Sequence, residues 1–212
     1  MRSTPTPSSR RAEREGGAAA SGDLPRGGPA ALALAGAAFI AYPALRPYSD
    51  ETTLAGAEAM AAPAWVASHV LGIAGFVLVA LGIAMTLRGR LAGRRSTALA
   101  WLGAALVLPY YGAETFGLQV IAQHALAEDS TAVLVLAEEV RMGATQVTMF
   151  GVGLLAVAGA GVALAIATWS GGVLVRVAGL ATGAGLALYL PQFFAAPVLR
   201  VGHGVLDRKS VV

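Results

Sequence analysis

Apolar residues along this chain fall into five long runs, at residues 29–45, 63–87, 98–125, 144–169 and 174–198, separated by short polar stretches. Each run approaches the ~20 residues that a helix needs to cross ~30 Å of hydrocarbon. The pattern predicts an all-α polytopic membrane protein, a bundle of five transmembrane helices occupying residues 29–200. The first run is short enough to be weighed as a signal-peptide core. Pro43 and Arg46 sit poorly at a cleavage site, so it is read as a span. Residues 1–28 hold Ser, Pro, Gly, Arg and Glu with few apolar residues, so they cannot bury enough surface to offset ordering entropy and are expected to form a disordered cytoplasmic tail. Arg10 and Arg11 form the dipeptide of a twin-arginine signal, but Ala12-Glu13-Arg14-Glu15 follows where such signals turn apolar, which argues against export. Residues 201–212 read as a short polar tail.

Composition agrees with the run pattern. Of 212 residues, 56% are apolar and 13% charged, against roughly 25% charged in soluble domains. The 27 glycines and the many alanines let transmembrane backbones approach closely, which matters where lipid gives helices no hydrophobic reason to associate. With no cysteine, a disulfide, a thiolate metal site and a thiol nucleophile are all excluded. The net charge of +3 sits in loops and tails and reads as topology, with no nucleic-acid surface implied. Arginines precede the first run, crowd the second loop at Arg88, Arg90, Arg94 and Arg95, and open the fifth run at Arg176. Five crossings put all of them on one side, and the positive-inside rule makes that side the cytoplasm. The expected location is the cell membrane, multi-pass, with the amino terminus cytoplasmic and the lipid bilayer as the first partner.

The third run contains Leu108-Pro109-Tyr110-Tyr111-Gly112-Ala113-Glu114-Thr115-Phe116-Gly117, a carboxylate amid hydrocarbon. An ionisable side chain costs about 3 kcal/mol at the centre of a membrane helix, so it normally faces a partner, a cavity or a task. At 1.5 Å per residue, His69 lies ~9 Å in from the outer end of the second run. Tyr42, Gln119, Gln146, Thr148, Tyr189 and Gln192 also gather toward the outer leaflet, while the inner halves are Ala, Gly, Leu and Val. This asymmetry predicts an outward-opening pocket with Glu114 near its floor. Tyr110 and Tyr111, four and three residues before it, are expected on the same helix face.

Burial disfavours the charged form of a carboxyl, so an isolated Glu114 would stay protonated at neutral pH and could donate that proton. Proton delivery to an isoprenoid alkene or epoxide makes a carbocation, which needs dry walls and π faces. Trp65, Tyr110, Tyr111, Phe116, Tyr189, Phe193 and Phe194 are the rings placed to supply them. Asp23, Asp50, Asp129 and Asp207 are isolated and lie outside the runs, so no Asp-rich diphosphate–metal motif is present. Protonation is then the mode left for a cyclase, with neither metal nor cofactor.

The segments Leu45-Arg46-Pro47-Tyr48-Ser49-Asp50-Glu51, Pro63-Ala64-Trp65 through Ser68-His69, and Leu108 to Gly117 resemble small actinobacterial multi-span proteins, among them membrane-integral terpene cyclases of indole-sesquiterpenoid, drimentine-type pathways. The resemblance covers about residues 42–124. It implies metal-independent, protonation-initiated ring closure of a prenylated substrate in secondary metabolism, and it maps no catalytic residue onto this chain. The residues alone assign Glu114 as general acid and His69 as the group that tunes or reprotonates it. Trp65, Tyr110, Tyr111, Phe116, Gln119, Tyr189 and Gln192 would line the substrate site, with Arg46 at its mouth as an anchor for a phosphate.

Two other classes stay open. Glu114 with His69 would suit a proton relay in a carrier, although the chain shows no internal repeat and is small for one unless it forms a homo-oligomer. Alternatively, Glu114 hydrogen-bonds across helices and fixes their register with no turnover. Axial haem ligation by His69 and His124 is disfavoured because their depths differ.

Overall fold

The computed structural model describes residues 27–89 and 91–194, with side chains excepted at 91, 92 and 190–194. The tails expected at 1–28 and 201–212 lie outside these residues apart from Gly27 and Gly28. The side chains of Gln192, Phe193 and Phe194 lie outside them too.

All regular structure among the described residues is helical. Helix α1 spans Gly27–Leu45, α2 Leu54–Ala61 and α3 Pro63–Thr86. Helix α4 spans Leu91–Gly112 and runs without a break through a π-helical turn, Ala113–Gly117, into α5, Leu118–Ala127. A 3-10 turn at Ala132–Leu134 leads into α6, Val135–Met142, followed by α7, Ala144–Thr168, and α8, Val173–Phe194. Local chemistry sets several of these limits. Thr53 caps α2 by accepting the Gly56 amide hydrogen at 3.2 Å. Pro63 opens α3, where its missing N–H costs nothing. Gly89 turns the chain from α3 toward α4 with a φ of 80°, a value that only glycine adopts freely.

Helices α1, α3 and α7 are long and apolar enough to cross a membrane, and the apolar part of α8, Val173–Tyr189, is shorter. Leu34, Ile40, Leu155 and Ile166 are each more than half exposed on these helices. Such a surface suits lipid as the solvent. The long helices pack antiparallel in the order α1, α3, α4, α7, α8. Tyr189 of α8 then reaches Phe39 of α1 and Phe76 of α3, with ring centroids 5.1 and 5.4 Å away. The core between them holds Phe76, Val79, Ile83, Val107, Tyr111, Leu154 and Val157.

A second core departs from the expectation of plain loops. Met60 of α2, Trp65 of α3, Leu118 and Ala122 of α5, Leu134 of the 3-10 turn and Ala137 of α6 are buried together at one end. Short amphipathic helices thus form a cap over the bundle. The run predicted as a single span at 98–125 lies inside a continuous helical stretch, residues 91–127, that extends roughly 55 Å against ~30 Å of hydrocarbon. Its last part, α5, belongs to the cap.

Small residues bring α4 and α7 together. A Cβ added at Gly153 would meet Val107 Cγ2 at 2.8 Å, Leu106 Cβ at 3.0 Å and the Gly103 carbonyl oxygen at 3.1 Å, and that backbone cannot yield. At Gly151, two residues along the same helix, nothing lies within 4 Å. We expect Gly153→Leu to abolish accumulation of monodisperse protein in detergent and Gly151→Leu to leave it nearly unchanged. Size-exclusion profiles of the two variants check this, and equal profiles would contradict the α4–α7 packing.

Candidate functional site

The site lies at the joint between bundle and cap, and the π-turn builds it. In a regular α-helix the Leu118 amide would serve the Glu114 carbonyl; here it donates to Ala113 instead. The Glu114 carbonyl accepts from the Trp65 indole N–H at 3.0 Å. The Thr115 hydroxyl donates to the Tyr111 carbonyl one turn back. With side chains taking up the carbonyls, the extra residue of the turn is tolerated, and it carries Glu114 inward. Pro109, which has no amide hydrogen to give, lies just before it on α4.

The Glu114 carboxylate is met from two sides. His69 Nε2 of α3 is 3.2 Å from Oε2, and Arg141 Nε of α6 donates to Oε1 at 2.6 Å. Arg141 Nη1 also donates to Glu51 Oε2, and Arg46 Nη2 donates to Glu51 Oε1 at 3.0 Å. One connected network therefore joins the end of α1, the segment before α2, α3, the π-turn and α6. The Arg46 guanidinium lies over the Trp65 ring, 4.8 Å from its centroid. Burial opposes the charge on Arg141, which is outside the apolar spans, but the Glu114 and Glu51 carboxylates more than offset that and hold its pKa above the ordinary arginine value.

The proton count around His69 follows from its partners. Nδ1 lies 2.7 Å from the Trp65 carbonyl oxygen. A carbonyl only accepts, so Nδ1 carries a hydrogen. Nε2 then either donates to Glu114 as an imidazolium or accepts the proton of a neutral carboxyl. In both states a single proton lies between Nε2 and Oε2. His69 is fully buried and Glu114 is 5% exposed, so bulk water does not compete for it.

Of the residues expected from the sequence, the structure brings together Glu114, His69, Trp65, Tyr111 and Arg46. Tyr189 joins them through a 2.6 Å hydrogen bond between its hydroxyl and that of Tyr111. Tyr42 packs edge-on against His69 at 5.2 Å. Three others go elsewhere. Tyr110 stacks on Phe150 of α7, 4.3 Å between centroids, because adjacent residues on a helix diverge by about 100° and Tyr111 takes the inward position. Phe116 is 56% exposed, two residues round the π-turn from Glu114. Gln119 extends its amide toward the Ala61 carbonyl and ties α5 to α2. His124 is exposed on α5, 3.1 Å from Glu128.

The space around the carboxylate also differs from the expected open pocket with a solitary acid. Arg141 and Glu51 occupy it. A cleft of about 100 Å³ lies against the π-turn, lined by Leu106, Pro109, Tyr110, Ala113, Gln146 and Met149. A wider apolar cleft of about 480 Å³ runs between α7 and α8, past Trp169 and Gly183. Neither touches Glu114.

Arg141 and Glu51 are the two residues that sequence reasoning missed. Arg141 is the only Lys or Arg between Arg95 and Arg176, and that was the available signal, since a buried carboxylate calls for a cation within reach. No protein-family model, no curated protein and no solved structure matches this chain.

The network makes a sharp energetic prediction. Arg141→Met leaves Glu114 without its cation and is expected to cost about 3 kcal/mol of stability. Adding Glu114→Gln removes the stranded charge, so the double variant should be more stable than Arg141→Met alone. Denaturant unfolding in detergent micelles measures both. Simple additivity of the two losses would show that the residues do not act as a pair.

Proposed function

We propose that the chain crosses the membrane five times and performs acid–base chemistry on an apolar substrate at its cap end. Helices α4 and α8 would complete the crossings made by α1, α3 and α7. Arg88, Arg94, Arg95 and Arg176 all fall at the end opposite the cap. That bias supports a cytoplasmic Arg-rich end, a cytoplasmic amino terminus and an outward-facing cap.

The observation that carries the reading is the buried proton between His69 and Glu114. Its geometry supports general acid catalysis: His69 is fixed in orientation by the Trp65 carbonyl, and the pair can yield one proton and take one back without exchanging it with bulk water. Trp65, Tyr42 and Tyr111 surround the pair with ring faces and edges. In this reading the substrate is a prenyl chain, and the reaction is the metal-independent cyclisation that the resemblance implies. Protonation of a terminal alkene or epoxide forms a carbocation, ring closure follows, and loss of a proton to the conjugate base ends the cycle. Glu114 and His69 are the acid and its partner, and the rings stabilise the cation. The substrate enters sideways from lipid, and the cleft against the π-turn marks where α4 and α7 would part to admit it. At about 100 Å³ that cleft is below the ~300 Å³ of an ordinary ligand site, so entry requires helix movement.

A second reading has its own support. The Arg141 pairs with Glu114 and Glu51 fill the joint, as they would in a latch that holds the cap on the bundle without turnover.

One experiment separates the two. In cells supplied with a prenylated indole bearing a terminal alkene or epoxide, Glu114→Gln should lower cyclised product by at least about a hundredfold. Membrane abundance should stay within about twofold, since the amide oxygen still accepts from Arg141. Product that is unchanged, or that falls only in step with abundance, would leave the latch as the function. The tautomer offers an independent check. Nitrogen NMR of His69 should show hydrogen on Nδ1, and a bare Nδ1 would remove the shared proton.

A further inference from the structure

Each guanidinium in the network has one buried nitrogen with no acceptor. They are Arg46 Nε and Arg141 Nη2. Leaving a charged donor unsatisfied is costly, and native proteins seldom do it without reason. The positions of the two donors are informative. On Arg46, Nε and Nη2 form one edge of the planar fork, and Glu51 Oε1 fills only Nη2. On Arg141, Nη1 and Nη2 form the outer edge, and Glu51 Oε2 fills only Nη1. Glu51 thus spans two forks with two oxygens and leaves one tooth of each empty. Glu51 meets each fork through a single hydrogen bond, so Arg46 Nε and Arg141 Nη2 stay without an acceptor.

A tetrahedral oxyanion in place of the Glu51 carboxylate can fill both positions, because its oxygens do not lie in one plane and face the two edges at once. We propose that Arg46 and Arg141 form a binding site for a phosphate group, and that Glu51 occupies it as an internal stand-in. Three features fit displacement of Glu51. Its side chain is 30% exposed, against 16% for Arg46 and 12% for Arg141, so it is the most accessible member of the cluster. It lies between α1 and α2, outside both helices, so its side chain can turn away without disturbing either one. With Glu51 gone, Arg46 and Arg141 outnumber Glu114, leaving net positive charge for the anion to neutralise. Trp65, under Arg46, is fully buried and reports on the site. This assignment goes beyond the acid–base reading and stands whether or not that reading holds.

The test uses the full chain in phosphate-free maltoside micelles with Trp101 and Trp169 replaced by phenylalanine, so that fluorescence comes from Trp65. Sodium phosphate is titrated at ionic strength held constant with chloride, and in a second arm phosphatidic acid is added to the micelle against diacylglycerol. A saturable change in Trp65 emission is expected with phosphate and none with chloride. Glu51→Gln should tighten binding by about tenfold, and Arg46→Lys, which keeps the charge but loses the Nε tooth, should weaken it by about tenfold. Saturation by phosphatidic acid alone would assign the site to a lipid headgroup, and saturation by both to a free phosphate as well. No saturation in either arm overturns the proposal, as does equal affinity in wild type and Arg46→Lys. Should Arg46→Lys fail to accumulate, Glu51→Gln decides, and an affinity no tighter than wild type overturns it.

Discussion

The carboxylate of Glu114 is the constraint around which the cap end is arranged. It sits at the junction of two cores, one of long helices and one of short ones, and is held by His69 from the first and Arg141 from the second. A charge in that position is stable only if its partners are delivered accurately, since a buried ion pair gains from Coulomb attraction only when its geometry and remaining hydrogen bonds are good. The structure meets that demand through the backbone. The π-turn aims Glu114 inward, the Trp65 indole takes the carbonyl, and α6 is docked by its own Ala137 and by Leu134 of the turn before it, so that Arg141 arrives at Oε1.

That arrangement relocates the acid relative to the simplest picture of a charge adrift in hydrocarbon. Counting back about 20 residues from Arg88, the span needed for ~30 Å, reaches Ser68 and His69 on α3. The network therefore lies near the edge of the apolar layer, where loops can supply charged groups and ring-bearing residues can close the interior behind them. Tyr42, Tyr111, Tyr189, Phe39 and Phe76 form that seal, with neighbouring centroids 5.0–5.8 Å apart. Polar chemistry on one side and packed rings on the other meet at His69.

Much of this was legible in the sequence, for identifiable reasons. Apolar run length fixed the helices: α1, α3 and α7 begin and end within two residues of the predicted runs, because the hydrophobic effect acts on composition and needs no partner to be known. Glu114 and His69 were legible because ionisable groups inside apolar runs are expensive. The cap was not, because α2 and α6 are eight residues each and owe their helicity to packing on α5. Arg141 was hidden for the same reason. Its importance depends on where a short helix folds back, and an arginine next to Glu138 and Glu139 reads locally as surface charge. Tyr110 and Phe116 lie away from the carboxylate for a plainer reason: Tyr110 and Tyr111 diverge by about 100° on α4, so only one faces inward, and Phe116 is two residues from Glu114, on the exposed side.

The acid and the latch draw on one physical requirement. A general acid that acts on hydrocarbon must keep water away from the cation it creates, and a latch must keep water away from the ion pairs it uses. Both are served by α6 seated on the bundle through Arg141. They part company on motion: a latch works best if the cap never lifts, while an acid is useful only if an apolar chain can reach it. The joint contains both kinds of element. Glu114 is bound through side chains from two separate helices and does not move freely, whereas Glu51 lies outside the helices, is partly exposed, and leaves half of each fork unfilled. The shared proton is thus held from both sides, and the unfilled donors lie on the two arginines around Glu51.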